Sequence, residues 1–404
     1  MKKILILFCF ALVFGQNGAL EFAEILELAK RNNHKILSEK AKTKAAAEHI
    51  RAIGVLPEPQ LSAGYFIEPI KTKTGPQEFR LGLMQKLPWF GKLSNQKKIA
   101  VLQHEQSILK FWKTELELEQ SIFSTIFELR FLDEKIQILE DNLALILQIE
   151  HVVQTAYSTG KSHHSDVIRI AIEREKLQNE IQKAKDEQSV KWFDFELLIG
   201  EKISEIPKQI PRITTNGTLE NNPTHRIAEI EKSIAELQTK LTNLAFFPDV
   251  ALGADWIFTD GGENPILAKI GLNLPIHFRK NIAQKKKALQ IEENKTAEIF
   301  ANWDKLKSLE KQLENKISDT TNDKILVAET LIPLAKEHLH VAEIGFLAGE
   351  ISFSDYLDAQ KTIFDLQLNL SKSQRDMNIS QSKLAELFGS GESKKSKFQM
   401  GEKK

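Results

Sequence analysis

The chain contains a run of 68 residues, 92–159, with neither proline nor glycine. Read as one helix, that run is about 100 Å long at 1.5 Å per residue. No compact domain covers a rod of that length, so it needs partner helices along its whole extent. Its apolar residues Ile122, Ile126, Leu129, Leu132, Ile136, Leu139, Leu143 and Ile146 advance by threes and fours. That spacing is a coiled-coil-like seam, with glutamate, lysine and glutamine filling the other positions. Residues 161–199 form a second clean run and residues 281–344 a third, broken only by Pro333. Proline lacks the N–H and clashes with the preceding turn, so Pro333 is expected to bend or interrupt its helix. The remaining prolines cluster at 57–88, 207–223 and 248–275.

The chain repeats itself at an offset of 189 residues. FLAGEISFSD at 346–355 matches YSTGKSHHSD at 157–166, and LFG at 387–389 matches LIG at 198–200. Pro248, Gly253 and Gly271 fall on Pro59, Gly64 and Gly82 at the same offset. The expected organisation is therefore an internal tandem duplication, with units at 20–209 and 210–389. The segment from Pro207 to Pro223 is expected to link the units beside the helices, near their middle.

Each unit carries one amphipathic β-hairpin, at 60–87 and at 249–275, followed by long helices at 92–199 and 280–388. In the first hairpin Leu61, Ala63, Tyr65 and Ile67 share one face, as do Phe79, Leu81, Leu83 and Leu87. A polar loop is expected over 70–76. In the second hairpin Val250, Leu252, Ala254, Trp256 and Phe258 share a face with Ile266, Ala268, Ile270, Leu272 and Leu274, across a turn at 260–262. Strands of nine or ten residues suit a tilted transmembrane β-strand. They also suit a soluble hairpin packed on its helices. Four strands cannot close a channel, and open edges cannot face lipid, so a membrane reading requires several protomers in one barrel.

The N-terminus favours the membrane reading. Lys2 and Lys3 precede an apolar stretch, 4–14, too short to span a bilayer, and small or polar residues follow to Ala19. Residues 1–19 read as a cleaved export signal, the alternative being a buried first helix. The only cysteine, Cys9, lies inside that stretch, so the mature chain has no thiol for disulfides, cysteine-ligated metals or nucleophilic catalysis. The 55 basic and 55 acidic side chains cancel, which argues against a nucleic-acid partner. The tail 390–404 is rich in serine, glycine and lysine and is expected to be disordered. No phosphate loop, HExxH or GxSxG motif is present, so no enzyme activity and no cofactor are expected.

Candidate functional residues gather at two helix turns. Gly160 and Gly349 suit tight helix–helix turns because glycine allows positive φ. Glu350, Asp355 and Asp358 follow the second turn, while Asp166 and Arg169 follow the first. Asp358 and Arg169 each lie three residues beyond the equivalent aspartates. Two roles remain open for these residues: a charged gate with an Asp358–Arg169 latch, or helix caps and solvated first-turn charges. Pro88 and Pro275 are expected to end strands where helix must begin. Trp89 reads either as an interfacial anchor or as a core aromatic at that junction. His163 and His164 are weak metal candidates. Neither they nor His338 and His340 have the i,i+4 spacing of a helical metal site, so no metal centre is expected.

LPEPQLSAGY at 56–65 leading to QKLPWFGK at 85–92 resembles the TolC-type outer-membrane efflux proteins, in the heavy-metal-efflux branch. LIPLA at 331–335, Gly349-Glu350 and LDAQ at 357–360 resemble it too, and the likeness extends over nearly the whole mature chain. The resemblance implies a mainly α fold with a small β part. A long α-helical barrel would cross the periplasm, and three protomers would share a twelve-stranded outer-membrane β-barrel. It also implies a homotrimer in contact with outer-membrane lipid, a periplasmic adaptor and an RND-type inner-membrane pump. The chain would be a passive exit duct for substrates such as heavy-metal cations, its entrance closed at the Gly160 and Gly349 turns. Some relatives carry a lipidated cysteine at the mature N-terminus, and this chain departs from them. The alternatives are a periplasmic adaptor or other coiled-coil interaction protein, or a duct for type I protein secretion.

Overall fold

The computed structural model describes residues 21–73, 75–160, 162–261 and 263–390. The expected signal segment, the tail beyond Ser390 and part of the 260–262 turn lie outside them. The chain begins with α1 (Phe22–Asn32) and α2 (His34–Ala52), followed by the hairpin β1 (Gln60–Thr72) and β2 (Gly75–Leu87). The helices α3 (Lys92–Ser158) and α4 (His164–Ile199) come next, then α5 (Pro223–Leu244) and the hairpin β3 (Asp249–Thr259) and β4 (Ile266–Asn273). The chain closes with α6 (Phe278–Leu326), one π-helical turn (Val327–Leu331), α7 (Ile332–Ala348) and α8 (Phe353–Leu387).

The seam read from sequence is the spine of the molecule. Ile122, Ile126, Leu129, Leu132, Leu139 and Ile146 are all buried, and each contributes about 1.5–3 kcal/mol through the apolar surface it removes from water. They face different partners along the 67-residue rod of α3. Midway along α3, residues 118–129 pack with α1, Ile36 of α2 and Phe195 and Ile199 of α4. Toward its C-terminal end, residues 136–153 pack with α4 and with Phe353, Leu357 and Phe364 of α8. A third cluster joins α6 to α8 through Leu306, Leu313, Leu384 and Leu387. No helix among the described residues is long and apolar enough to cross a membrane.

Pro333 interrupts its helix as its chemistry requires. Without an N–H it cannot bond the carbonyl of Glu329, and the π-helical turn at Val327–Leu331 absorbs the defect.

The segment between α4 and α5 runs along the helices near their middle. Ile206, Ile210 and Ile213 pack against the central cluster, and Arg130 donates from Nη2 to the carbonyls of Pro207 and Lys208, both at 2.8 Å. Two asparagines fix the helix ends beside it. Asn33 accepts from the Lys35 and Ile36 N–H groups and donates to the Leu198 carbonyl at 3.2 Å. Asn222 accepts from the Thr224 and His225 N–H groups and donates to the Leu387 carbonyl at 2.8 Å. Each therefore caps one helix and satisfies the end of another.

The strands form one antiparallel sheet in the order β1-β2-β3-β4, so the two hairpins pair through β2 and β3. The strands at 60–72 and 75–87 run further than expected, because the 70–76 loop is mostly ladder: Ile70, Lys71 and Thr72 pair with Gln77, Pro76 and Gly75. The register slips between Tyr65 and Ile70, where Pro69 cannot donate to a ladder. On one face the rungs align Leu61, Leu83 and Ala254, then Ala63, Leu81, Trp256 and Ile266. That face is bare, with Leu61 76 % and Ile270 77 % exposed. Among the described residues, β1 and β4 each leave one edge without a partner.

Candidate functional site: helix tips and sheet collar

The two helix turns have the same construction. Gly160 has φ +74° and Gly349 φ +75°, and a Cβ at either would meet nothing within 4 Å. Glycine is needed at these turns for the left-handed backbone, not for space. After the first turn Asp166 accepts from the His163 N–H at 3.1 Å and from Ser162 Oγ at 2.8 Å. After the second, Ser352 Oγ accepts from the Asp355 N–H at 3.2 Å and donates to its carboxylate at 2.8 Å. Asp166 thus closes the N-terminus of α4, Ser352 caps that of α8, and both carboxylates lie in the first turn, where they are favoured. The ring pairs also correspond, Tyr157 with His164 at 5.3 Å and Phe346 with Phe353 at 5.7 Å between centroids. The exposed Glu350 follows Gly349, and its N–H donates to the Gly345 carbonyl at 2.9 Å.

Charged side chains hold the tips side by side. Arg169 Nη2 of α4 lies 3.5 Å from Asp358 Oδ1 of α8, and Arg169 Nη1 donates to Ser354 Oγ. Four residues along, Lys361 lies 3.5 Å from Glu173. Between α3 and α4, Arg174 meets Glu150 at 2.8 Å and Lys185 meets Glu140 at 2.7 Å. The Arg169–Asp358 pair is exposed on both sides, and an exposed pair contributes about 0–1 kcal/mol, which makes this contact easy to break. Burial foremost, then the charge of Glu343, pushes the Tyr356 hydroxyl up from its ordinary pKa, so it stays protonated at neutral pH. His163 is 92 % exposed and touches one carboxylate, Asp166, at 3.9 Å. Among the described residues no three His, Cys, Asp or Glu side chains gather as metal ligands.

At the other end of α3, strand turns into helix through a tied collar. Pro88 directly follows β2, and Gly91 takes φ +87°. The Trp89 N–H donates to Asp249 Oδ1 at 2.8 Å, and Lys92 Nζ lies 2.6 Å from the same oxygen. The Trp89 ring stacks on Phe247 at 5.2 Å, while its neighbour Phe90 is 89 % exposed. Pro275 lies two residues beyond β4, followed by exposed Ile276 and Phe278. Phe90, Phe247 and Ile276 escape a reading based on periodicity because they sit in irregular residues between strand and helix, and Phe278 because it opens α6 beside them. Their aromatic and aliphatic crowding beside proline is the signal that could have found them.

This architecture has known counterparts. Residues 25–201 match the family model described as outer membrane efflux protein. A cobalt-zinc-cadmium resistance protein, CzcC, of Cupriavidus metallidurans is 20 % identical over 364 residues, 87 % of this chain and 85 % of that protein. Outer membrane protein TolC of Vibrio cholerae is 23 % identical over 436 residues, 96 % of each chain. The outer-membrane channel OprN superposes with a TM-score of 0.80 at 14 % identity, over 92 % of this chain and 90 % of that one. The chain is thus similar to outer membrane efflux proteins, with the family model matching residues 25–201. Within this fold, the Gly160 and Gly349 turns lie at one end of the helices and the collar of Pro88, Trp89 and Pro275 at the sheet end.

Proposed function

We propose that the protein is the outer-membrane exit duct of a tripartite efflux system. The observation that carries this reading is the open four-stranded sheet, with a bare apolar face and two edges unpaired among the described residues, mounted on helices about 100 Å long. In lipid those edges must be paired. Pairing β4 of one copy with β1 of the next, around a threefold axis, gives twelve strands from three copies of four. The long helices then form the wall of a periplasmic tunnel, and the two halves of the chain act as tandem copies of one unit.

The duct does no chemistry of its own. A periplasmic adaptor and an inner-membrane pump of the RND type deliver the cargo, and the resistance named for the Cupriavidus relative supports heavy-metal cations as that cargo. At the tips, threefold symmetry turns Asp355 and Asp358 into acidic rings, with the Arg169–Asp358 contact as the latch. Two experiments test the reading. Fractionation should place the protein in the outer membrane as a heat-modifiable trimer, and a chain found wholly in soluble periplasm would make it an adaptor instead. In planar bilayers, Asp355→Ala combined with Asp358→Ala should raise conductance and reduce cation selectivity; unchanged currents would remove the gate from the proposal.

A further inference from the structure

The inner face of the sheet carries a charge arrangement that the tips do not share. Asp255 of β3 is 0 % exposed, although the sheet is one layer thick. Its carboxylate lies between two cations, Lys269 Nζ of β4 at 2.5 Å and Arg80 Nη1 of β2 at 3.6 Å. Neither oxygen accepts a well-directed hydrogen bond, so the contacts are ionic. Gly82 provides the room: a Cβ there would run into the Asp255 carboxylate and come within 2.7 Å of Ser62 Oγ. On the other side the Arg80 guanidinium lies over Gly64, 3.9 Å from where a Cβ would stand. The cluster therefore spans all four strands, from Gly64 of β1 to Lys269 of β4.

The charges at this level do not balance. Two cations face one buried carboxylate, which leaves one positive charge per protomer. Lys86 faces the same side further toward the helices. The other acids of this face are placed elsewhere: Asp249 is held by Lys92 at the collar, and Glu68 and Glu78 lie in the bulged ends.

We propose that Arg80, Asp255 and Lys269 form a net-positive ring inside the barrel that makes the outer-membrane end of the duct favour anions. The proposal rests on the trimeric duct reading above, since threefold symmetry closes the belt into a ring. Rings of arginine and lysine select for anions, and a low-dielectric wall focuses their field across the lumen. The buried aspartate holds the two cations in place and sets the size of the excess. The duct then carries fields of opposite sign at its two ends, acidic at the tips and basic in the barrel.

The test uses detergent-purified full-length trimers in planar bilayers under a potassium chloride gradient, in an Arg169→Ala background that frees the tip. The probe ions are potassium and chloride, and the readout is the reversal potential. The triple variant Arg80→Gln/Asp255→Asn/Lys269→Gln removes all three charges and leaves no buried charge unpaired. It should shift the reversal potential toward cation preference relative to the parent. Asp255→Asn alone should shift it toward anions. Heat-modifiable trimer formation identifies variants that fold, and the triple variant serves if the single one does not. A folded triple variant with the parent's reversal potential overturns the ring. Inserted trimers that pass no current in any variant overturn the duct reading itself.

Discussion

Asn222 should be a stronger determinant of stability than its counterpart Asn33, although the two make the same hydrogen bonds. Asn222 is 5 % exposed, and its bond to the Leu387 carbonyl is buried. Replacing it with alanine removes the N-cap of α5, a loss of about 1 kcal/mol. It also leaves the Leu387 carbonyl without a donor in a dry site, a further cost of about 1–3 kcal/mol. The expected sum is about 2–4 kcal/mol per protomer. Asn33→Ala removes the same cap, but its bond to Leu198 is longer and partly solvated, so about 1–2 kcal/mol is expected. Asn222→Asp separates the two contributions, because a carboxylate keeps the cap and loses the donor. Guanidinium unfolding of the detergent-solubilised protein, followed by far-UV circular dichroism, measures all three. The reasoning fails if Asn222→Ala costs no more than Asn33→Ala, or if Asn222→Asp unfolds like the parent.

Three further outcomes follow from the same geometry. Burial foremost, then the charge of Glu117, raises the Glu386 carboxyl pKa against the opposing charges of Lys113, Lys383 and Lys35. The folded state therefore binds this proton more tightly than the unfolded chain. That contribution is complete below the unfolded value of about 4.3 and is lost as pH rises through the raised folded value. Glu386→Gln should unfold at a higher temperature than the parent at pH 7.5, with the gap closing toward pH 4.5; a less stable variant at pH 7.5 would contradict this. Gly349→Ala forces a β-carbon into φ +75° without a clash and should cost about 1–2 kcal/mol of stability while leaving the protein folded, as thermal unfolding would show. Gly82→Val, by contrast, drives a side chain into Asp255 and should abolish folding of the sheet, read as loss of the heat-modifiable form on gels.

The sequence was legible where one periodicity governs a long stretch. The α3 seam could be read because each of its positions needs only an apolar neighbour, whichever helix supplies it. The Arg169–Asp358 contact was legible through the 189-residue offset, which places the two side chains at equivalent depths on neighbouring helices. The 70–76 loop was misread because polar composition outweighed the ladder in which Ile70, Lys71 and Thr72 are paired. The Asp255 cluster was out of reach for another reason. Alternation sets Arg80 and Lys269 on one face, but only the pairing of β2 with β3 brings that face together. Asn33 and Asn222 share the offset too, yet their partners are backbone carbonyls, which have no signature in a side-chain pattern.

The π-helical turn before Pro333 also sets a rule of counting. Leu306, Leu313, Thr320 and Val327 are buried at intervals of seven, and Ala335 and Ala342 at seven again, but the step from Val327 to Ala335 is eight. One surplus residue would swing an ordinary helix by about a quarter turn and carry the lower stripe off its seam. The wider turn takes up that residue, so both stretches keep the same phase. Val327–Leu331 is thus a skip in an otherwise heptad rod. Shortening the chain there by one residue should leave both stripes in place, whereas the same deletion a turn away on either side should not.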